Sequence, residues 1–298
     1  MRPGFFLACR QTMTLLPPIQ LPKIDFAREF TFSDADYERV RRLIHRTAGI
    51  ALGPSKKDMV YGRLVRRIRE LKLAGFTAYV DLLESPAGRG EFEQFVNALT
   101  TNLTFFFRED HHFPLLAEHL KQKAGQEVSI WCAASSTGEE PYSIAITALE
   151  ALGANARVSI LATDLDTSVL ETGRRGVYGA DKIARLPAGM AARYFDKLPD
   201  GNYQARAQLR NLIRFERLNL ADSVWPARKP FDAIFCRNVM IYFDRDTQAG
   251  VLRRFVPMLK PDGLLFVGHS ENFYFASDLF HLRGKTVYEH AARAAARG

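Results

Sequence analysis

The chain has 298 residues, of which 47% are hydrophobic and 25% charged, with a formal net charge of +8 at pH 7. At about 100 to 200 residues per domain this length accommodates two modest domains, and the composition is that of an ordinary soluble globular protein. No apolar run approaches the roughly 18 residues of a membrane span, and Arg10 interrupts the amino-terminal run MRPGFFLACRQ too early for a secretory segment.

Residues 1–25, with Pro3, Pro17, Pro18 and Pro22, show no sustained periodicity and read as a loosely ordered tail. Ser33 then reads as a helix N-cap with Asp36 three places on, followed by Tyr37, Val40, Leu43 and Ile44 at helical spacing and Gly49 as a stop. A second helix is expected to open at Ser55, to bury Val60, Leu64, Ile68 and Leu71, and to end at Gly75. Its opposite face carries Lys56, Arg63, Arg66 and Arg67. The charge is concentrated here: from Asp36 to Lys72 eleven Lys or Arg stand against four acids, a net +7, so an acidic partner is expected at this place.

TAYVDLLES and EFEQFVNALTTN complete an all-helical domain, assigned to residues 26–104. After TNLTFFFRE and a further helix near 109–123, short β-branched runs alternate with helical patterns: VSIWC, RVSILATD, FERLNL, FDAIFCRN and GLLFVGHSE, with TVYEH as a closing strand. That alternation predicts an α/β domain over 105–298 built on a parallel sheet covered on both faces. A PDGN turn signal marks a small antiparallel hairpin inserted at about 194–215. Cys9, Cys132 and Cys236 lie far apart with no C-x-x-C spacing, which points away from a zinc site or a disulfide framework and towards a reducing cytoplasm. His111, His112 and His269 have no second cluster at ligand spacing, so no metal is expected.

Ligands of an open α/β sheet bind at the carboxyl ends of the strands. The first strand ends in Ala133-Ala134-Ser135-Ser136 and opens into a helix beginning with Glu139, Glu140 and Pro141, with one glycine in the turn where phosphate loops hold several. Two carboxylates at a helix amino terminus would repel a phosphate, so a ligand with a cationic or hydrogen-donating part is favoured. Glu139 reads equally well as a complement to the helix dipole. Asp164 ends the second strand, where an acid accepts from ribose hydroxyls or caps a helix. Asn219-Leu220 and Arg237-Asn238 end the third and fourth. A nucleoside without phosphate plus an amino acid moiety describes S-adenosylmethionine.

The segments TNLTFFFRE, ASSTGEEPYSIAI, ATDLDTSVLE, FDAIFCRNVMIYF, LKPDGLLFVGHSENF and LRGKTVYE resemble the bacterial chemotaxis receptor methyltransferases, the CheR type, from about residue 30 onward. The resemblance implies a Rossmann-like S-adenosylmethionine-dependent methyltransferase domain with a small inserted β-subdomain, preceded by an all-helical domain. It implies that Asn102, Thr104, Arg108, Glu139, Asp164, Asn219, Leu220, Arg237 and Asn238 contact the cofactor.

The implied reaction is methyl transfer to receptor glutamates, giving glutamyl methyl esters and S-adenosylhomocysteine. A glutamate with an ordinary pKa of about 4.3 is already ionised at neutral pH, so no general base is required. Arg108 is expected to orient a carboxylate, or to bind the cofactor's own, and Tyr242 to line the methyl-transfer site. Arg63, Arg66 and Arg67 are expected to dock the acidic helical cytoplasmic region of the receptor. The short tip DKLPDGNYQ implies an enzyme independent of a receptor pentapeptide tether, and a cytoplasmic monomer is expected. The alternatives are methylation of another substrate such as nucleic acid, and a non-catalytic cofactor-binding scaffold. The fourth strand runs into CRNVMIYF rather than a Pro-Pro-aromatic turn, and Cys236 lacks a preceding proline, so nucleic acid is not the expected partner.

Overall fold

The structure, a computed structural model, describes residues 28–226 and 228–296, so the expected tail lies outside the described residues. Helix α1 spans Asp34–Ala48; Ser33 Oγ accepts from the Asp36 amide at 3.0 Å, and Gly49 closes the helix at φ 70°. A Cβ on Gly49 would also lie 2.8 Å from the Ala221 side chain, so this position brings the two halves of the molecule close. Helix α2 (Lys57–Glu70) opens differently from expectation. Pro54 starts a 3-10 turn over Pro54–Lys56, which absorbs Ser55 and leaves it without a capping bond. The helix also ends early, with Lys72 at φ 53° taking the left-handed position assigned to Gly75. Helices α3 (Phe76–Glu84) and α4 (Phe92–Leu99) complete the bundle around Val40, Ile44, Leu64, Ile68, Tyr79 and Phe95.

Helix α5 (His112–Lys121) leads into β1 (Val128–Cys132), α6 (Glu139–Leu152), β2 (Val158–Asp164) and α7 (Thr167–Arg175). The chain continues through β3 (Val177–Tyr178), α8 (Ala180–Ile183), α9 (Met190–Tyr194), β4 (Phe195–Lys197), β5 (Tyr203–Ala205), α10 (Ala207–Arg210) and β6 (Ile213–Arg217). It closes with β7 (Phe231–Cys236), α11 (Arg245–Phe255), β8 (Leu259–Val267), β9 (Phe280–Gly284), β10 (Val287–His290) and α12 (Ala291–Ala295). Among the described residues the main sheet has the order β6-β2-β1-β7-β8-β10-β9. Its first five strands are parallel and the last two form an antiparallel hairpin. Strand alternation divides the core: Ile130 and Cys132 pack under α5 and α6, while Trp131 and Ala133 pack with Val251, Leu252 and Phe255 of α11.

Two features differ from the expected topology. The inserted sheet has three strands, ordered β3-β5-β4, and Ile213–Arg217 belongs to the edge of the main sheet rather than to the hairpin. Strand β9 carried no expectation; it pairs with β10 across a turn in which Lys285 and Thr286 adopt φ 52° and 57°. Neither residue is a glycine, so the turn lacked its usual compositional mark.

The helical domain is fastened to the sheet domain at the carboxyl ends of the strands. The Ala51 amide donates to Tyr242 O at 2.8 Å, Ile50 pairs with Phe243 in an isolated antiparallel bridge, and His45 Nε2 lies 2.6 Å from Asp244 Oδ2.

Candidate active site

A cavity of about 510 Å³ lies between the two domains. Its floor is the carboxyl edge of the parallel strands, where Asp164, Asn219, Leu220, Arg237 and Asn238 all contribute. Its roof includes Lys56, Met59 and Arg63 from the helical domain, and the linker residues Asn102, Thr104 and Arg108 form a side wall with Tyr242. Nearly all the residues singled out for the cofactor therefore share one cavity, although they are spread over more than a hundred positions of chain.

The turn after β1 approaches the cavity through backbone geometry. Ser136 takes φ 47°; its amide donates to Asp164 Oδ2 at 2.9 Å and its hydroxyl to Asn102 O at 2.9 Å. Gly138, at φ 100°, is required: a Cβ there would meet Tyr178 Oη at 2.6 Å and Gly173 Cα at 2.9 Å.

Glu139 is the main departure from the sequence-based assignment. It is fully buried but outside the cavity wall, accepting from Lys182 Nζ and Thr137 Oγ1 at 2.6 Å each. Glu140 lines the cavity instead. One residue along a helix rotates a side chain by about 100°, and the choice between the two carboxylates is made by packing. Burial pushes the Glu140 carboxyl up, opposed by the Arg237 guanidinium at 2.7 Å. Arg237 is itself buried, lies 3.3 Å from Glu109 and donates to Arg108 O. Burial alone would raise Glu109, yet hydrogen bonds from His269 and Asn238 and the charge of Arg237 outweigh it and hold that carboxyl at about 2.

Asp164 faces the cavity with its carboxyl pushed up to about 6 by burial, against amide donors from Asp166 and Ser136. Among the described residues it has no cation partner, which leaves acceptor capacity for hydroxyl groups. Asn238 adopts φ 57° and donates from its side chain to Glu109 Oε1 at 3.1 Å.

Several of the other assigned side chains have protein partners. Asn102 donates to Asp166 Oδ2 at 2.8 Å. Asn219 donates to Thr47 O and Asp222 Oδ1, both at 2.7 Å, so its amide joins the two domains. Thr104 and Leu220 line the wall. Arg108 donates to Leu103 O at 2.8 Å, lies over the Phe105 ring and sets its charge towards the Glu140 carboxylate; like Lys56 it makes no ion-pair contact with a carboxylate among the described residues.

The basic stripe of α2 divides in the same way. Arg63 donates to Leu99 O and Thr100 O at 2.8 Å and to Thr101 Oγ1 at 2.9 Å, closing the end of α4 and the linker. Arg67 grips Glu91 through two bonds of 2.8 and 2.6 Å, and Glu91 in turn accepts from Tyr79 Oη at 2.9 Å. Of the three, Arg66 is the one turned to solvent, with its side chain 83% exposed and only Glu70 beside it. Arg63 and Arg67 of the expected docking stripe are bonded within the chain and Arg66 is the most exposed of the three, a division that helical spacing cannot show.

Sequence reasoning passed over Asp166 and Glu271 and gave Ser136 no bond of its own, yet each anchors a cavity-lining segment through backbone or linker bonds. The SENF run was the only available signal for Glu271. It also set aside a cluster that folding assembles: ligand atoms of Glu109, His111 and His112 lie within 4.8 Å of one another. The Arg237 guanidinium 3.3 Å from Glu109 places a positive charge against that cluster.

Residues 35–100 match the family described as CheR methyltransferase, all-alpha domain, and residues 102–288 that described as CheR methyltransferase, SAM binding domain. The chain is similar to the chemotaxis protein methyltransferase of Escherichia coli (strain K12), 50% identical over 95% of this chain and 97% of the relative. Its similarity to the same protein of Salmonella typhimurium is 51% identity over 89% of this chain and 93% of the relative. With chemotaxis protein methyltransferase 2 of Pseudomonas aeruginosa it shares 48% identity, over 89% and 96%.

Proposed function

The chain belongs to the CheR methyltransferase family, an S-adenosylmethionine-dependent enzyme, and on that premise we propose that it methylates side-chain carboxylates of specific glutamates in chemotaxis receptors. The observation that carries this reading is the cavity wall's cations Lys56, Arg63 and Arg108, none of which is ion-paired to a carboxylate among the described residues; Arg63 is held by carbonyl and hydroxyl oxygens, and Lys56 and Arg108 are the less committed two. Two carboxylates need places in such a reaction, the cofactor's own and the acceptor's, and Lys56 and Arg108 are placed to receive them.

The cofactor supplies an activated methyl group on a positively charged sulfur. The chain's residues then have a task of positioning. Asp164 would accept from ribose hydroxyls, and the close turn at Ala133, Ala134 and Ser136 admits a ligand without phosphates. Arg108 would hold a carboxylate, and Tyr242, packed against the cores of both domains, would border the path between carboxylate oxygen and methyl. No general base is required, since the attacking glutamate is ionised at neutral pH.

The receptor's acidic helical region would be met by the exposed Arg66 and by Lys56 at the start of α2. Tether independence is proposed from the five-residue connection between β4 and β5, closed by the Leu198 amide donating to Asn202 O at 2.7 Å. A monomer acting in the cytoplasm completes the proposal; among the described residues no helix is long and apolar enough to cross a membrane.

The test is incubation with methyl-labelled S-adenosylmethionine and receptor cytoplasmic fragments, followed by alkali. Volatile methanol released from the fragment is expected. Label confined to base-stable product, in nucleic acid or protein, would overturn the glutamate assignment.

A further inference from the structure

We propose that Glu271 is a positioning residue for the cofactor cavity, a buried carboxylate that fixes the backbone turn forming one of its walls. Glu271 follows β8, yet its oxygens reach the end of β7. Oε1 accepts from the Val239 and Met240 amides at 3.0 and 2.8 Å, and Oε2 from the Asn238 and Gly268 amides at 3.0 and 2.5 Å. Three of these donors are consecutive, so the turn after β7 wraps around one carboxylate as a backbone nest. Glu271 is 4% exposed and makes no ion pair among the described residues, which leaves amide dipoles as the groups that hold its charge.

The turn held in this way is a functional surface. Asn238, Val239, Ile241 and Tyr242 line the cavity, and Asn238 sits at φ 57°, a left-handed conformation that asparagine tolerates better than most residues other than glycine. The far end of the turn docks on the helical domain through Ala51 and Ile50. Glu271 therefore secures the near end of a segment whose other end is fixed by the second domain. A carboxylate is suited to this: a glutamine would turn its NH₂ towards two of the four amides and lose them.

The test compares Glu271→Gln and Gly268→Ala with Leu83→Ala, a core substitution in α3 away from the cavity. A Cβ on Gly268 would lie 2.4 Å from Asn238 Nδ2 and 2.9 Å from Glu271 Oε2, so it disturbs the clasp without removing it and serves if Glu271→Gln does not fold. Affinity for S-adenosylhomocysteine is read by calorimetry well below each variant's Tm, and kcat and KM by methyl transfer. Cofactor binding weaker by about tenfold in Glu271→Gln, and weakened less in Gly268→Ala, is expected, with kcat falling alongside and Leu83→Ala losing only thermal stability. Wild-type cofactor affinity in the folded variants, with losses that follow Tm as in Leu83→Ala, would overturn the proposal. The turnover readout rests on the proposed methyl acceptor; the cofactor affinity does not, so the two readings fail separately.

Discussion

Asn219 donates its side-chain amide to the carbonyl oxygen of Thr47 at 2.7 Å, joining the loop after β6 to the last turn of α1. A carbonyl in the last turn of a helix has no partner within it, and here the partner comes from the other domain. The same amide group holds Asp222, and its oxygen accepts from the Ala221 amide at 3.0 Å. Asn219→Ala should cost about 1–3 kcal/mol, the range for buried polar groups left unpaired, and should also weaken cofactor binding because the loop lines the cavity. Denaturant titration and calorimetry check both, and unchanged values in both would remove the residue from the interface account.

The arginines of α2 should separate by assay. Arg66→Glu breaks an exposed pair with Glu70 and sets a like charge one turn from it, both on a solvated face, so stability should change little and cofactor affinity should hold. Receptor methylation should fall several-fold at low salt and recover part of the deficit relative to wild type as salt rises. Arg63→Ala should instead lower Tm and cofactor affinity at any salt, because it frees the linker beside Asn102. Identical behaviour of the two variants would sink this division.

Asp164 should impose opposite pH dependences on binding and folding. Its carboxyl is raised to about 6 from the ordinary aspartate value of 3.8 by burial, so the folded chain holds the proton more tightly than the unfolded one. The stabilisation from this group is full below the unfolded value and lost as pH rises through about 6. Asp164→Asn, which stays neutral, should therefore lose this pH dependence between pH 5 and 7.5, on top of a pH-independent loss because its NH₂ would face one of the two amides that donate to Asp164. Ribose hydroxyls donate to the ionised form, so wild-type cofactor affinity should fall below about pH 6, approaching tenfold per pH unit, while the variant shows weaker, flatter binding. Calorimetric titrations from pH 5 to 8 measure this; a flat wild-type profile would exclude the ribose role.

Arg237→Met should be among the most damaging single changes. It leaves buried Glu140 and the partly buried Glu109 without their shared cation. Breaking such a network by removing one member typically costs about 3–5 kcal/mol. Adding Glu140→Gln to the same chain should recover part of the loss, and a double variant no more stable than Arg237→Met would show that the carboxylate is not the source of the cost.

Much of this was legible before any coordinates. A helical amino-terminal domain and a covered parallel sheet follow from periodicity, and periodicity is a local property of the chain. Asp164, Asn219, Leu220, Arg237 and Asn238 could be named as candidates because ligands of this class of fold bind at the strand ends. The folded chain brought them to one cavity.

Tertiary structure decided which chemically equivalent neighbour does what. Glu140 rather than Glu139 faces the cavity, Arg66 rather than Arg63 or Arg67 faces solvent, and Asn219 reaches across to Thr47. Glu271 gained its place through amides more than thirty positions upstream. Sequence by itself determined the elements and the edge at which they work, because backbone propensity and apolar spacing act between near neighbours. The role of each charged or polar side chain depends on partners distant in sequence, and those are set only when the elements pack.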